Sequence, residues 1–229
     1  MSYKAFTFNG VSSRTFGIVA TGQTNHNAPA RSYDSVAVLG RDGDLLMDNR
    51  RFPNVEIGYH IATRDISNLA DVRAWLLAPS GYVKLTDEYN PDEFYLAKCE
   101  DISIDTTANR YGTSDITFTR KPQRFLTSGE VAQTFTESGN ITNPTKFASK
   151  PLLRIYGKGT VKLGDSTITV NKAGTNYIDF DCDILSAYEG SANRNGNISL
   201  SGTPKLQNTT IITLTGVEKV VITPRWWRI

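Results

Sequence analysis

Hydrophobic and polar residues alternate along most of the chain. In "NVEIGYHIAT", every second position is apolar at Val55, Ile57, Tyr59 and Ile61. The same period of two recurs in "EDISIDT", "SDITFTR", "VKLGDSTITV" and "IDFDCDIL". Turn-forming residues separate these segments, at Asn109, Gly112, Gly164, Asp165, Gly174 and Gly216. Alternation with β-branched and aromatic residues is typical of strands that bury one face. The pattern therefore predicts a mainly β protein.

One segment has a helical period instead. "ISNLADVRAWLLAPSG" places three apolar residues on one helical face, with Trp75 beside them: Leu69, Val72 and Leu76. Ser67 or Asn68 is suited to cap the start, and Pro79 is suited to end the helix. We therefore predict a single helix over about 67–78.

A polar stretch divides the chain into two parts. "TSGEVAQTFTESGNIT" has few large apolar residues, and strand patterns resume after Pro151. We expect a domain junction within 125–150. The sequence thus predicts an N-terminal β domain with one helix over 1–130 and a C-terminal β-sandwich over 131–229.

Composition narrows the choice of function. The chain has 229 residues, 39% hydrophobic and 21% charged, with a net charge of +2. This is a globular balance, and it is not basic enough to make nucleic acid the main partner. No apolar run approaches about 20 residues, so no membrane insertion is expected. The opening "MSYKAFTFNG" lacks the pattern of a secretory signal peptide.

The charged run "LGRDGDLLMDNRRF" is a candidate for either a metal loop or a turn. A calcium loop that starts at Asp42 would have Leu46 at its fifth position and Pro53 at its twelfth, where oxygen ligands are required. The pair Asp42-Gly43 between two strand-like flanks favours a hairpin turn. The arginines near it, Arg41, Arg50 and Arg51, then become surface or interface charges, and a neighbouring subunit's carboxylates are suitable partners for Arg50 and Arg51.

Groups suited to catalysis are sparse. The two histidines, His26 and His60, have no local spacing typical of a catalytic triad, and the chain lacks GxSxG, HExxH and P-loop motifs. The two cysteines, Cys99 and Cys182, are expected to be separate half-buried thiols. A pair of carboxylates for sugar hydrolysis stays open, since there are 23 acidic residues.

Two further clusters have simple structural explanations. Asp179, Asp181 and Asp183 in "DFDCD" are expected to lie on the solvent-exposed face of a strand rather than to bind an ion. Trp226 and Trp227 near the end of the chain are candidate surface aromatics for stacking on sugars. Strand alternation nevertheless places one of them inward, which favours one core Trp and one surface or interface Trp.

Several motifs in order resemble one known family. They are "FTFNGVSSRTFGIVATG", "GRDGDLLMDNRRFPNVEIGYHI", "LADVRAWLLAPSGYVKLTDEYNPDEFYLAKC", "DITFTRKPQRFL", "NPTKFASKPLLRIYGKGTVKL" and "ITPRWWRI". Together they resemble the distal tail protein (Dit) of long-tailed bacteriophages over nearly the whole chain. One position departs from the pattern, because the family often has Cys where this chain has Arg120.

The resemblance implies a structural virion protein without catalytic residues, cofactors or metals. Its N-terminal β-sandwich-like domains would form a homo-hexameric ring around a channel for DNA, which passes without specific binding. Its C-terminal domains would be galectin-like or carbohydrate-module-like sandwiches. The partners that the resemblance implies are the tail tube protein, the tail-associated lysin, and receptor-binding or fibre proteins. The implied location is the tail tip of a virion whose proteins are made in the host cytoplasm.

Within this frame we expect ring contacts from the charged hairpin and from the 90–94 loop. The candidate ring-interface residues are Arg41, Asp42, Gly43, Arg50, Arg51, Asn90, Pro91 and Asp92. Unpaired strand edges readily pair across subunits, and a head-to-tail contact that closes forms a ring. Two alternatives remain, a carbohydrate-binding module for host adhesion and a wall-degrading hydrolase.

Overall fold

The computed structural model describes residues 3–24, 27–107 and 111–229. His26 and the turn residue Asn109 lie outside these residues. The chain forms two compact units, Met1–Arg124 together with Ile229, and Phe125–Arg228. The sequence placed the boundary at 130/131, a few residues inside the second unit.

The first unit is built on an antiparallel sheet. Its elements are β1 (Phe6–Phe8), β2 (Val11–Ser12), β3 (Ile18–Thr24), β4 (Tyr33–Val36), β5 (Leu45–Asp48), β6 (Val55–Thr63), α1 (Leu69–Leu77), β7 (Val83–Asp87), β8 (Glu93–Cys99), β9 (Asp105–Thr107) and β10 (Tyr111–Arg120), with a 3₁₀ turn at Ser13–Phe16. The sheet runs in the order β2-β1-β7-β8-β10-β6-β3, and β9 pairs with β10. The strands β4 and β5 pair only with each other among the described residues.

The alternation in β6 works as the sequence predicts. Ile57, Tyr59 and Ile61 are buried, whereas Glu56 and His60 between them are exposed. The buried face packs in an aromatic core whose members are Phe6, Phe8, Tyr59, Phe118 and Trp75. Ring centroids of Phe6 and Tyr59 lie 5.1 Å apart in a stacked arrangement. Such pairs stabilise a core beyond the area they bury.

The predicted helix is confirmed as α1, and it packs on this core. Val72 and Leu76 are buried, and the indole N–H of Trp75 donates to the carbonyl of Phe8 at 3.0 Å. Asn68 occupies the N-cap position, but its side chain does not cap the helix. Its Nδ2 donates to the carbonyl of Phe16 instead, at 3.2 Å. The capping prediction was therefore wrong, because a tertiary contact uses the amide.

The second unit is a larger set of antiparallel strands. After β11 (Arg124–Leu126), which begins at the unit boundary, its strands are β12 (Gln133–Phe135), β13 (Gly139–Thr142), β14 (Leu152–Leu163), β15 (Ser166–Val170), β16 (Ile178–Asp181), β17 (Ser186–Glu189), β18 (Ala192–Asn193), β19 (Ile198–Ser201), β20 (Thr209–Thr223) and β21 (Trp227–Arg228), with 3₁₀ turns at Thr127–Glu130 and Asn195–Asn197. The main path is β12-β20-β14-β16-β17-β18, with β13 on β20 and β15 joining β14 to β19. The mainly β fold class predicted from the sequence is thus confirmed.

Glycines shape the long strand β14. The register against β20 shifts between Tyr156 and Gly157 and again before Thr160. A Cβ on Gly159, whose φ is +150°, would lie 2.3 Å from the carbonyl oxygen of Thr215. Only glycine allows this close approach, so "GKG" marks a bulge that bends the strand.

The hairpin predicted for "VKLGDSTITV" is confirmed. Leu163 pairs with Ser166 across a two-residue turn, and Gly164 has a φ of +56° that suits it. The strand face carrying Val161 and Ile168 is buried in the core of the second unit.

Among the described residues, no helix is both long enough and apolar enough to cross a membrane.

Candidate interaction surfaces

The charged run of the sequence lies on an exposed β-arm, which we define as residues 31–51. Its strands β4 and β5 pair antiparallel, with Tyr33 opposite Asp48 and Val36 opposite Leu45. Residues 37–44 connect them, so the Asp42-Gly43 pair lies within a long loop. The turn forms earlier, where the N–H of Arg41 donates to the carbonyl of Val38 at 3.2 Å. The predicted hairpin exists, and Asp42-Gly43 lies in its connecting loop, where both Gly40 and Gly43 adopt positive φ, at +78° and +77°.

Apolar side chains cover the arm without being buried. Seven of the fifteen exposed large hydrophobic residues among the described residues lie here: Tyr33, Val36, Val38, Leu39, Leu45, Leu46 and Met47. Both faces of β4 and β5 are exposed throughout. An exposed apolar patch on a strand pair with unpaired edges is typical of a protein–protein contact.

Polar contacts hold the base of the arm. The Nε of Arg31 donates to both oxygens of Asp48 at 3.0 Å, and the backbone N–H of Arg50 donates to Asp48 Oδ1 at 2.8 Å. The hydrogen bond from Arg31, followed by that from Arg50, lowers the pKa of Asp48. Arg50 itself has a φ of +53°. Arg31 was not among the predicted interface residues, because no sequence pattern indicates that it pairs with Asp48, 17 positions away.

Among the predicted interface residues, all of those on the arm are exposed. They are Arg41, Asp42, Gly43, Arg50 and Arg51. The geometry brings all five onto one element, and Arg41, Arg50 and Arg51 make backbone hydrogen bonds within it. Their role in a contact stays a prediction.

The predicted 90–94 loop is a tight turn between β7 and β8. Asp87 Oδ1 accepts the backbone N–H groups of Tyr89 at 2.8 Å and Asn90 at 2.7 Å. Such a carboxylate fixes a turn locally. Pro91 and Asp92 are exposed at its tip, whereas Asn90 is half-buried. Asn90 therefore contributes to the turn's internal structure.

Asp87 also connects this turn to the core of the first unit. Its Oδ2 accepts the hydroxyl of Tyr59 at 2.6 Å and the amide of Gln23 at 3.2 Å. Burial, together with the nearby Asp87 carboxylate, raises the pKa of the Tyr59 phenol well above its ordinary value. The position of the turn is thus fixed by a buried polar network.

Trp226 is not a surface aromatic, contrary to its place among the candidates. Its side chain is 3% exposed and belongs to the core of the second unit. Trp227 is half-buried, stacks on Phe147 with centroids 4.6 Å apart, and donates its indole N–H to the carbonyl of Ala148 at 3.0 Å. Strand alternation explains the inward Trp226. The ring of Trp227 is committed to Phe147 rather than held open for a sugar.

The three aspartates of "DFDCD" each meet a basic side chain of the second unit. Asp179 pairs with Arg154 through two hydrogen bonds of 2.7 and 2.9 Å, and Asp181 pairs likewise with Arg225 at 2.8 and 2.9 Å. Asp183 is exposed and accepts from Lys150 at 2.9 Å. The prediction of a solvent-exposed face was wrong for Asp179, which is 4% exposed. The two hydrogen bonds from the Arg154 guanidinium allow the Asp179 carboxylate to be buried.

Two of these side chains, Arg154 and Asp181, have shifted pKa values. The hydrogen bond to Asp179 raises the pKa of Arg154, whose guanidinium also lies 4.1 Å from the centre of the Tyr177 ring. Burial alone would raise the pKa of Asp181, but hydrogen bonds from Arg225 and the Asp183 backbone outweigh it, and the pKa is lowered. Paired hydrogen bonds of this kind are typical of structural ion pairs. In the described part of the chain, no group of three or more His, Cys, Asp or Glu residues could hold a metal ion.

The two cysteines lie in different units and are both free. Cys99 is half-buried, as expected, whereas Cys182 is fully buried. Burial raises the pKa of the Cys99 thiol to about 11 and that of Cys182 to about 12. Both thiols are therefore protonated at neutral pH and poorly suited to nucleophilic chemistry.

No protein-family model matches the chain, and no curated protein sequence matches it either. Solved structures do match, and they include an adsorption-apparatus protein and baseplates of bacteriophages. One is the SPP1 Dit (gp 19.1) protein, described as a paradigm of the hub adsorption apparatus in phages that infect Gram-positive bacteria. It is 16% identical, with a TM-score of 0.72, over 96% of this chain and 98% of that one.

Two structures of the phage P2 baseplate in its activated conformation also match. The structure with Ca has a TM-score of 0.59 at 10% identity, over 97% of each chain. The structure with Sr has a TM-score of 0.54 at 10% identity, over 96% of this chain and 98% of that one. At such identities the likeness defines the fold. The chain therefore has the fold of the distal tail proteins, and the resemblance read from its motifs is confirmed at that level.

Proposed function

We propose that this protein is a structural component of a phage tail tip, the distal tail hub to which other tail proteins attach. The observation that carries the proposal is the match to the SPP1 Dit protein over both units, with 96% of this chain and 98% of that chain covered. A likeness confined to one β-sandwich would be weak support, because sandwiches serve many functions. The order of motifs along the sequence supports the same conclusion independently.

The proposed assembly is a closed ring of six copies around a channel that lets DNA pass. A head-to-tail contact that closes gives such a ring. The β-arm is the element best suited to the contact, since it combines exposed Leu39, Leu46 and Met47 with unpaired strand edges. Arg41, Asp42, Gly43, Arg50 and Arg51 would surround this apolar contact with charge, as is typical of an interface rim.

The remaining candidate residues belong to the turn between β7 and β8. Pro91 and Asp92 at its tip are proposed as a second contact, with Asn90 maintaining the turn's shape. Because Asp87 and Tyr59 fix the turn from inside, it would present a preorganised surface.

The proposed partners are the tail tube protein on one side and the tail-associated lysin or receptor-binding proteins on the other. The protein would act at the tail tip of the virion, without catalysis. The net charge of +2 suits a channel through which DNA must pass without being held. Sugar binding through the terminal tryptophans is not favoured, because Trp226 is buried and Trp227 stacks on Phe147.

Light scattering on a sizing column, with negative-stain images, tests the assembly. We expect a particle of about six times the 25.3 kDa of one chain, seen as a ring with a central hole. The same measurement is made with purified tail tube protein added, because some ring proteins close only on their partners. A single-chain mass under both conditions contradicts the proposal.

A further inference from the structure

The first unit contains a small polar cavity that the proposed function does not use. Its volume is about 110 Å³, and the side chains that matter for its chemistry are Gln23, Asn90, Tyr95, Arg120 and Arg124. At about 30 Å³ per molecule, it has room for about three waters or one small oxyanion. Two of these five side chains are guanidinium groups.

Arg120 is the unusual member of the cavity wall. Only 5% of it is exposed, yet among the described residues its guanidinium has no carboxylate in ion-pair range. One terminal nitrogen donates to the carbonyls of Lys121 and Pro122, both at 3.2 Å, and the other donates to the carbonyl of Asn27 at 3.4 Å. Within residues 3–24, 27–107 and 111–229, no group accepts a hydrogen bond from its Nε–H. A buried cation held only by neutral groups is costly, and an added anion would relieve that cost.

The carboxylates nearest to the cavity are already committed. Glu93, whose side chain is 1% exposed, accepts the Nε of Arg124 at 2.7 Å. Asp87 accepts from Tyr59, from Gln23 and from the backbone of the turn. Arg124 also donates to Asn90 Oδ1, at 3.4 Å. Arg124 thus has a carboxylate partner in Glu93, whereas Arg120 has none among the residues that the structure describes.

We infer that this cavity binds a carboxylate group, with Arg120 as its principal ligand. A guanidinium presents planar, paired donors that match the two oxygens of a carboxylate, and a free Nε–H is one of those donors. Gln23 and Asn90 supply amides that suit the rim of such a site. The carboxylate belongs either to a small molecule or to an Asp or Glu side chain of a second copy of this chain.

The probe is sodium acetate, compared with sodium chloride at matched ionic strength and pH 7, with Tm followed by calorimetry on the full chain. We expect acetate to raise the Tm of the unmodified protein by about 2 °C or more in a saturable way. Arg120→Met, which keeps the bulk and removes the charge, should weaken the apparent affinity for acetate about tenfold or more. Arg14→Gln is the matched control, since Arg14 is an exposed arginine of the same unit that pairs with Glu88, and it should keep the full acetate response.

Two comparisons identify the source of the carboxylate. If a second copy supplies it, Arg120→Met lowers the particle mass and acetate competes with assembly of the unmodified protein. If a small molecule supplies it, only the Tm response changes. Should Arg120→Met fail to fold, Arg120→Gln serves in its place. The inference is overturned if neither the Tm response nor the mass differs between the Arg120 variant and the unmodified protein. The ring proposal stands or fails separately, by the mass of the unmodified protein.

Discussion

Two hairpins of this protein have opposite surroundings. In β14–β15, the apolar residues Val161 and Ile168 face each other and are fully buried in the core of the second unit. In β4–β5, Leu46 is 63% exposed and Met47 is 56% exposed, although the strands pair just as regularly. A two-stranded hairpin by itself is marginally stable in water. The first hairpin obtains its stability from its own chain, and we propose that the second obtains it from a partner.

The comparison separates residues that maintain the fold from residues that make contacts. Buried apolar area stabilises by about 25 cal/mol per Å², whichever molecule covers it. Removing an apolar side chain from β14–β15 should therefore affect unfolding of the chain. Removing one from the β-arm should affect assembly instead.

The largest expected effect is loss of assembly when the arm loses its apolar side chains. The triple variant Leu39→Ser, Leu46→Ser, Met47→Ser should convert the particle to single chains, measured by light scattering. Its circular dichroism should be unchanged, because these side chains contact no core. The matched control is Ile184→Ser with Ile211→Ser, two residues of similar exposure in the second unit. An assembly that survives the triple variant would remove the arm from the interface.

The next effect is on stability within the second unit. Ile168→Ala should lower the free energy of unfolding by about 2–5 kcal/mol, because it leaves a cavity in a packed core. The matched arm variant Leu46→Ala should change it by no more than about 0.5 kcal/mol in dilute protein. Urea unfolding of both variants measures the difference. Equal losses would show that the arm is packed within its own chain.

A smaller effect is expected from the Asp181–Arg225 pair. Asp181→Asn should cost about 1.5–3 kcal/mol, since it weakens a paired hydrogen bond from a partly buried guanidinium. The pKa of Asp181 is lowered in the folded chain, so the pair's contribution is present above the ordinary carboxylate value of 3.8 and is lost as pH falls through the folded value. The free energy of unfolding should accordingly fall more steeply with acid in the unmodified protein than in Asp181→Asn, and the two values should converge at the lowest pH. Identical acid profiles for the two proteins would contradict this role.

The smallest effect concerns the charges around the arm. Reversing Arg50 and Arg51 to Glu should weaken assembly about tenfold, since like charges would replace complementary ones at the interface rim. Sedimentation over a dilution series measures the change, and it should be larger at low salt. Lys158→Glu with Lys172→Glu, in the second unit, provides a control of equal charge. An unchanged oligomer would exclude the two arginines from the contact.

The elements of the fold were largely readable from the sequence. Alternation predicted β6 and the β14–β15 hairpin, and the period of Val72 and Leu76 predicted α1. These signals are local, so neighbouring residues suffice to reveal them. The hairpin at Asp42-Gly43 was predicted as well, but the length of its connection was not, because a turn closed by Arg41 and Val38 comes before the pair.

The surfaces were much less predictable. Asp179 was expected to face solvent, and the arginine that allows its burial lies 25 positions away in sequence. The exposed state of Leu46 could not be told from the buried state of Ile168, because both occupy apolar positions in regular hairpins. The burial of Arg120 among neutral carbonyls could not be predicted, because one of those carbonyls belongs to Asn27, which is distant in sequence. Contacts between residues far apart in sequence determine which of these side chains are buried. The period of hydrophobic residues carries no information about such contacts.

Amide hydrogen exchange of the β-arm in the assembled protein tests whether another copy of the chain covers the arm. If another copy covers the arm, amides of residues 33–48 should exchange slowly in the particle and at least about tenfold faster in the triple variant. Amides of residues 161–170 serve as the internal reference and should be protected equally in both proteins. Fast exchange of the arm in a fully assembled ring would show that the arm remains in solvent, and would contradict the account of it as the contact between copies.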